Sequence, residues 1–383
     1  MSDRSNRPIR WAIGSAIALS LSALACAPAT PGSGPPTTIS HDSEPFTIVL
    51  IGDSEPRMRG NTNAELAAYV QNLISYGTDT EEYFDSDGGS HRIDPELVIL
   101  AGDISADRST SIANDMGIWQ PLYDSGIGFI ATFGNHDWEP KDFSDGPGYS
   151  LAGHLANEDT RAFVAETQRR SALASPHFTY RSFEPTSAHG PDTYLSTYRG
   201  VDIASLNTFL YQPSYFYPEG WPLSCNLLLG GAGCQRFVSA EGQIGALEAA
   251  LSSDTSRPTL FVQHYPLTTG QSWWSDYETS GTTVTEKKQR LLSMMGRFDE
   301  VALLAGHNHV SGHFVHDVGG RLLDEYVAPY FGGNNGEDLT SGGGFLALLV
   351  SPTDGIIEVK EIPAGTADTT VATATLVGTY ERT

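Results

Sequence analysis

The stretch FTIVLIGDSEPR, residues 46–57, carries acidic side chains at the point where a strand pattern ends. Its first six residues are almost all apolar, and a short run of this kind predicts a strand that is buried on both faces. Gly52 allows a tight turn after the run, Asp53 follows it at once, and Glu55 lies two residues further on. What Asp53 and Glu55 face therefore depends on the strands that the rest of the chain supplies.

Apolar runs alternate with helical patterns along the rest of the chain. This alternation predicts an α/β fold with a parallel sheet and right-handed crossovers. The further predicted strands are ELVILA (96–101), IGFIATF (127–133), PTLFVQ (258–263) and VALLAG (301–306). The predicted helices are NAELAAYVQNLIS (63–75), SIANDMGIWQPLYDS (111–125), SAEGQIGALEAALSS (239–253) and EKKQRLLSMMGRF (286–298).

Two further regions complete the prediction of the fold. The sequence GGFLALLVSPTDGIIEVKEI, residues 343–362, indicates antiparallel strands around an Asp-Gly turn. Segments 141–235 and 268–283 are rich in aromatic residues, glycine and proline. We interpret these two segments as long loops that could form the wall of a pocket.

Each predicted strand that belongs to the α/β pattern ends on residue types that bind metals. These residues are Asp53; Asp103; Asn135, His136 and Asp137; His264; and His307 and His309. Because ligands of open α/β sheets bind at the carboxyl ends of the strands, we expect the side chains to converge. A single Gly-Asp turn or a single buried histidine is common without a function, but coincidence does not account for five such strand ends in order.

The order of these motifs resembles that of the calcineurin-like metallophosphoesterase superfamily. The superfamily signature is Asp-x-His, Gly-Asp, Gly-Asn-His-Asp/Glu, a single His and Gly-His-x-His, and the resemblance covers residues 46–316. It implies a four-layer α/β/β/α sandwich, two metal ions, and a metallophosphoesterase activity on phosphate mono- or diesters.

The resemblance also implies a role for each matching position. The implied ligands of the first metal are Asp53, Asp103 and His309, and those of the second are Asp103, Asn135, His264 and His307. A metal-activated hydroxide would attack phosphorus. His136 would assist the leaving group, and Asp137 would orient its imidazole and favour the protonated form.

Glu55 stands where the superfamily has a histidine. Positions two residues apart on an extended segment share a face, so Glu55 can still reach the first metal beside Asp53. Three carboxylates and one histidine would favour manganese or iron at the first site, and magnesium after them, while the second site could hold zinc. The alternative is that Glu55 forms an ion pair with Arg57 or Arg59.

The charge balance limits the classes of partner. The chain has 22 Lys and Arg against 46 Asp and Glu, which gives a formal net charge of −24. A field of this sign repels polyanions, so a nucleic acid polymer or an anionic membrane surface is a poor partner. A small phosphorylated substrate is compatible with it, because a bound cation reverses the sign locally. No substrate-binding residue is identified by the sequence.

The N-terminus predicts export. A basic segment with three arginines precedes the apolar stretch WAIGSAIALSLSALA, and together they predict a cleaved signal peptide over residues 1–25. Cys26 begins a Pro/Gly/Ser/Thr-rich tether, residues 26–45, in a pattern that resembles a bacterial lipoprotein signal. The catalytic domain is expected over residues 46–383. We expect a periplasmic or cell-surface lipoprotein attached to the membrane only through Cys26; plain secretion is the alternative.

Two classes of function follow from the motifs. The leading hypothesis is an exported phosphoesterase with two divalent or trivalent metal ions. The alternative is a catalytically idle binding lipoprotein that retains the same fold. A nuclease that acts on long nucleic acids comes third, because the net charge of the chain opposes such a substrate.

Overall fold

A computed structural model of the chain describes the core elements of the predicted catalytic domain. The described ranges are 44–54, 63–76, 83–86, 89–104, 116–134, 163–182, 194–206, 247–251, 255–268, 283–331, 344–363 and 375–378. The predicted signal peptide, Cys26 and the tether as far as residue 43 lie outside these ranges. Within the described ranges no helix is long and apolar enough to cross a membrane.

A six-stranded mixed sheet, the first sheet, contains the N-terminal strand. In spatial order its strands are β15 (Thr375–Gly378), β14 (Gly355–Pro363), β13 (Gly344–Ser351), β1 (Phe46–Ile51), β4 (Pro95–Leu100) and β5 (Gly128–Ala131). Strand β4 is parallel to β1 and to β5, whereas β13 pairs with β1 in the antiparallel direction. Every residue of β1 is buried, as an apolar strand in the middle of a covered sheet requires.

A seven-stranded mixed sheet, the second sheet, faces the first. In spatial order its strands are β11 (Gly312–Val318), β12 (Arg321–Val327), β10 (Val301–Ala305), β9 (Thr259–Val262), β8 (Val201–Ser205), β7 (Tyr194–Tyr198) and β6 (Phe178–Ser182). The strands β12, β10, β9 and β8 run parallel to one another, so their carboxyl ends lie at one edge. A separate two-stranded ribbon joins β2 (Tyr83–Ser86) to β3 (Gly89–Arg92).

Three apolar clusters define the four layers. One cluster lies between the sheets and combines residues such as Ile48 and Leu50 of the first with Leu260 and Leu304 of the second. A second cluster packs α1 (Asn63–Tyr76), α2 (Met116–Asp124) and a helical segment over residues 163–174, α3, on the outer face of the first sheet. The third packs α4 (residues 247–250) and α5 (Thr283–Met295) on the outer face of the second sheet. This arrangement confirms the predicted α/β/β/α sandwich.

One prediction about the fold is wrong in part. The interpretation of segment 141–235 as long loops is incorrect where this segment forms α3 and the three strands β6, β7 and β8. The strands are short, and polar side chains occupy buried positions in them, such as Ser196 and Asp202. A buried polar residue removes the apolar run or alternation by which a strand is recognised in a sequence.

Candidate metal centre

The two carboxylates of the centre come from neighbouring strands of the first sheet. Asp53 follows β1 and Asp103 follows β4, and both are buried. The two strand ends are held together because the Ala101 N–H donates to the Ile51 carbonyl at 2.8 Å. The Ser54 hydroxyl lies 3.3 Å from the carbonyl oxygen of Asp103, to which it donates. These contacts fix the two loops that carry the carboxylates relative to each other.

The histidines follow the carboxyl ends of two neighbouring parallel strands of the second sheet. His264 follows β9, and His307 and His309 follow β10. The Gly306 N–H donates to the His264 carbonyl at 3.0 Å, which continues the pairing of the strands into the loops. The sequence GHNH therefore leaves its strand beside His264, at the same end of the sandwich as the two aspartates.

Four of these side chains converge on one point. One ligand atom each from Asp53, Asp103, His264 and His307 lies within 4.8 Å of the others. The His264 Nε2 atom is 3.2 Å from the Asp103 Oδ2 atom and 3.9 Å from the Asp53 Oδ1 atom. The His307 Nδ1 atom is 3.2 Å from the same His264 Nε2 atom. Two carboxylates and two imidazoles thus face a common centre.

A fifth side chain approaches the centre from the solvent side. The His309 Nε2 atom lies 3.2 Å from the Asp53 Oδ1 atom. The His309 side chain is 16 % exposed, whereas the side chains of Asp53 and His264 are completely buried. The centre is therefore deep on the His264 side and accessible on the His309 side.

Hydrogen bonds orient the ligand atoms. The His264 Nδ1 atom is 2.8 Å from the Ala101 carbonyl oxygen, which can only accept, so this nitrogen carries the proton. In the neutral ring the Nε2 lone pair then faces the centre. The His307 N–H donates to the Asp53 Oδ2 atom at 2.7 Å, and this bond turns the Asp53 Oδ1 atom toward the histidines. Such contacts around a ligand set both its tautomer and its direction.

The electrostatics of the centre call for a positive charge. Burial acts to lower the pKa of His264, but the nearby carboxylates of Asp103 and Asp53 overcome this effect and raise it to about 10. Without another cation, the centre therefore holds a proton on His264. A divalent metal can supply the positive charge instead, and carboxylate oxygens and imidazole nitrogens are its usual ligands. The donor set fits a metal ion.

Gly134 shows why the centre needs glycine at one of its strand ends. A Cβ atom at Gly134 would overlap the Asp103 carboxylate and backbone nitrogen. The backbone that leads to Asn135 thus runs directly against Asp103. No larger residue than glycine fits at this position without displacing the carboxylate.

Two tyrosines that the sequence did not single out pack against the histidines. The Tyr265 ring centre is 4.3 Å from the His307 ring centre and 5.3 Å from that of His264. The Tyr330 ring centre is 4.9 Å from the His309 ring centre. Tyr265 could have been noticed because it directly follows His264, but no sequence signal connects Tyr330 with His309.

The structure brings together the five predicted ligands that it describes, which are Asp53, Asp103, His264, His307 and His309. Glu55, Asn135, His136 and Asp137 lie outside the described residues. The metal-binding role of the first group and both the metal-binding and catalytic roles of the second stay predictions.

Comparison with known proteins identifies the family. The model of the calcineurin-like phosphoesterase family matches residues 46–311. The chain belongs to this family. It is accordingly a metallophosphoesterase, a hydrolase, and the family together with the cluster of ligands indicates that it uses divalent metal. No curated protein matched this phosphoesterase in sequence.

Two solved structures are similar to this chain at low sequence identity and low TM-score. A conserved uncharacterized protein from Streptococcus pneumoniae TIGR4, described as a predicted phosphoesterase, is 9% identical with a TM-score of 0.29. The match covers 84% of this phosphoesterase and 90% of that protein. Sulfate thiohydrolase SoxB from Thermus thermophilus, in complex with glycerol, is 10% identical with a TM-score of 0.36. That match covers 84% of this chain and 57% of SoxB.

Proposed function

We propose that this phosphoesterase hydrolyses phosphate mono- or diesters of small molecules with two metal ions. The observation that carries the proposal is the convergence of Asp53, Asp103, His264 and His307, with His309 beside Asp53. Bound metal ions would supply Lewis acidity and an activated water for attack on phosphorus. The two sheets each contribute ligands, so folding of the sandwich assembles the centre.

The arrangement of side chains supports a division of roles. The family resemblance gives Asp103 to both metals, and the 3.2 Å distance from its Oδ2 atom to the His264 Nε2 atom is compatible with that assignment. Asp53 and His309 would serve the first metal, with Glu55 as a further ligand that favours manganese or iron. His264, His307 and Asn135 would serve the second metal, at which zinc fits the two imidazoles.

His136 and Asp137 complete the proposal. They follow Gly134, whose backbone lies against the Asp103 carboxylate, so the chain enters their segment at the metal centre. His136 would give a proton to the leaving oxygen, and Asp137 would hold the imidazole in the protonated state. An imidazole suits this task because its ordinary pKa of about 6.5 lies near neutrality.

Export and attachment through Cys26 belong to the same proposal. The signal-like N-terminus supports an enzyme that meets small phosphorylated substrates outside the cytoplasm. Labelling of the full-length protein with a radioactive or alkyne fatty acid in a bacterial host tests the anchor. Label on the wild type and its loss in Cys26→Ser would support it, and an unlabelled wild type would contradict it.

The first prediction concerns Asp103 and tests the proposed reaction. Purified protein would be loaded with Mn²⁺, Fe²⁺, Zn²⁺ or Mg²⁺ and assayed on aryl phosphate, bis-aryl phosphate, nucleotides and glycerophosphodiesters. We expect Asp103→Asn to lower kcat/KM at least about 100-fold. Substitution of a residue that only hydrogen-bonds to a metal ligand already lowers metal affinity or activity by about 10- to 100-fold, and loss of a ligand should cost at least as much. Elemental analysis should find two metal ions per wild-type chain.

Asp94→Asn is the matched control. Asp94 is exposed and precedes β4, the strand that Asp103 follows, so both substitutions remove one carboxylate near the same strand. The control should keep both activity and metal content. Equal, slow hydrolysis of every substrate by wild type and Asp103→Asn, with fewer than two metal ions bound, would favour the catalytically idle binding protein.

A further inference from the structure

Glu325 is a buried carboxylate outside the metal centre. It lies on β12, and its side chain is completely buried in the sandwich. Glu325 pairs with Leu303 of β10, a residue of the apolar cluster on the outer face of the second sheet. Neighbouring residues of paired strands share a face, so the carboxylate is directed toward the helical layer, away from the first sheet. A charge in such a place needs strong partners.

Three groups contact this carboxylate. The Leu267 N–H donates to the Oε1 atom at 2.5 Å, and the Thr268 hydroxyl donates to the Oε2 atom at 2.5 Å. The His316 Nε2 atom lies 2.7 Å from the same Oε2 atom. Two of the three groups belong to one short segment, residues 265–268. Hydrogen bonds to a charged acceptor are about twice as strong as neutral ones, so Glu325 anchors this segment firmly.

The anchored segment, residues 265–268, begins immediately after a predicted metal ligand. His264 immediately precedes Tyr265, and only Pro266 separates Tyr265 from Leu267. The Gln263 side-chain amide donates to the Tyr265 carbonyl at 2.6 Å, so the segment is also held where it leaves β9. Little freedom remains for Tyr265 between these two attachments.

Tyr265 connects the anchor with the metal centre. Its ring packs against the imidazoles of His264 and His307 at centre-to-centre distances of 5.3 Å and 4.3 Å. The buried ring therefore limits the rotation of both imidazoles. A shift of the segment 265–268 would move the ring and release the two side chains that face Asp103 and Asp53.

We propose that Glu325 is a positioning residue of the metal centre, which holds the segment 265–268 so that Tyr265 keeps the imidazoles of His264 and His307 in place. The inference rests on the proposed function, because it takes these two histidines as metal ligands. Glu325 touches neither metal nor substrate, and it acts through Leu267, Thr268 and Tyr265.

Strands β11 and β12 form an antiparallel hairpin that carries His316 and Glu325, and this hairpin offers a matched control. Asp324 is the neighbour of Glu325 on β12, and the two side chains point to opposite faces of the strand. The Asp324 Oδ1 atom lies 2.8 Å from His313 Nε2, just as Glu325 lies beside His316. Asp324→Asn therefore disturbs a histidine–carboxylate pair of the same kind on the other face of the strand, where the partner is His313.

The experiment measures metal binding by the full chain. Wild type, Glu325→Gln, Thr268→Val and Asp324→Asn would be titrated with Mn²⁺, Zn²⁺ and Co²⁺ by calorimetry, and the visible absorption of bound Co²⁺ would be recorded. We expect Glu325→Gln and Thr268→Val to weaken metal binding by about tenfold and to change the Co²⁺ spectrum. Asp324→Asn should change neither quantity. Circular dichroism in chelator would establish that each variant is folded.

The possible results separate this inference from the proposed function. Wild-type affinity and an unchanged Co²⁺ spectrum in Thr268→Val and in folded Glu325→Gln would overturn the role of Glu325, while metal binding itself would stand. If Glu325→Gln does not fold, Thr268→Val alone decides, since it removes one hydroxyl and keeps the carboxylate. A wild type that binds none of the metals would overturn the proposed function and this inference with it.

Discussion

At the scale of single residues, backbone strain is concentrated at the candidate metal centre. Within the described ranges five residues other than glycine have positive φ, and four of them are predicted ligands: Asp53, Asp103, His307 and His309. The left-handed conformation costs an L-residue about 1–2 kcal/mol, and strained residues of this kind cluster at functional sites. The strain is the cost of turning four side chains inward at the strand ends.

The sequence predicts which residues stand at these ends but not their conformation. Asp53, Asp103 and His264 could be identified because each follows an apolar run directly. His307 has a left-handed backbone conformation, with φ of 70°, and no sequence signal predicts it. In this conformation the His307 N–H donates to the Asp53 carboxylate. Asp53 is distant in sequence, and only the packing of the two sheets brings it close.

Gly134→Ala tests the close packing around Asp103. The added Cβ atom would overlap the Asp103 carboxylate, and either the carboxylate or the backbone that leads to Asn135 must move. We expect the variant to lose bound metal and at least about 100-fold in kcat/KM, as for loss of the ligand itself. Elemental analysis and the phosphoesterase assay measure the two effects.

Gly117→Ala is the control for this substitution. Gly117 lies in α2, and no atom lies within 4 Å of the position of an added Cβ atom there. Alanine in a helix should raise the free energy of unfolding by up to about 1 kcal/mol and leave metal content unchanged. Normal metal content in Gly134→Ala would show that Asp103 does not need its present position.

At the scale of strands and hairpins, prediction succeeded where burial made the sequence uniformly apolar. The predicted runs at 96–101, 258–263 and 301–306 correspond to β4, β9 and β10, and the predicted C-terminal hairpin is β13 and β14. The strands β4, β9, β10 and β13 are covered on both sides, so almost every position in them is apolar. The strands β8, β7 and β6 follow β9 toward one edge of the second sheet. Their polar residues interrupt the apolar pattern, so the sequence did not predict them as strands.

The hairpin of β11 and β12, which carries Glu325 and His316, depends on its two-residue turn. Gly319 and Gly320 have φ of 65° and 89°, as a type I′ turn requires, and nothing lies within 4 Å of an added Cβ atom at either position. The effect of a substitution at Gly319 or Gly320 on stability should therefore depend on how well the new residue adopts positive φ, and not on steric overlap. We expect Gly320→Ala to lower the free energy of unfolding by about 1–2 kcal/mol.

Gly319→Asn is the matched substitution in the same turn. Asparagine tolerates the left-handed conformation, and Asn-Gly is a preferred sequence for this turn. Urea unfolding should therefore give Gly319→Asn a stability within about 0.5 kcal/mol of wild type. Equal losses of stability in both variants would mean that the turn tolerates neither side chain, and that its conformation is not what limits substitution.

At the scale of the whole molecule, the first and second sheets are joined by different polar contacts at the two ends of the interface between them, which we call the seam. At one end, Asp53 and Asp103 of the first sheet meet the histidines of the second. At the other end, Glu96 at the start of β4 binds Arg199 in the turn between β7 and β8, with an Nη1–Oε1 distance of 2.8 Å. An ion pair closes the seam at this second end, whereas a metal ion would close it at the first.

Removal of metal should consequently destabilise the whole sandwich. A ligand that binds only the folded chain raises the free energy of unfolding by RT ln(1 + [L]/Kd), about 2.7 kcal/mol at 100 times Kd. We expect a chelator to lower Tm by several degrees and added Mn²⁺ or Zn²⁺ to restore it, as measured by differential scanning calorimetry. Glu96→Gln weakens the other end, so it should lower Tm equally with and without metal. A Tm that the chelator leaves unchanged in wild type, while the metal is shown to be removed, would mean that the metal does not join the two sheets.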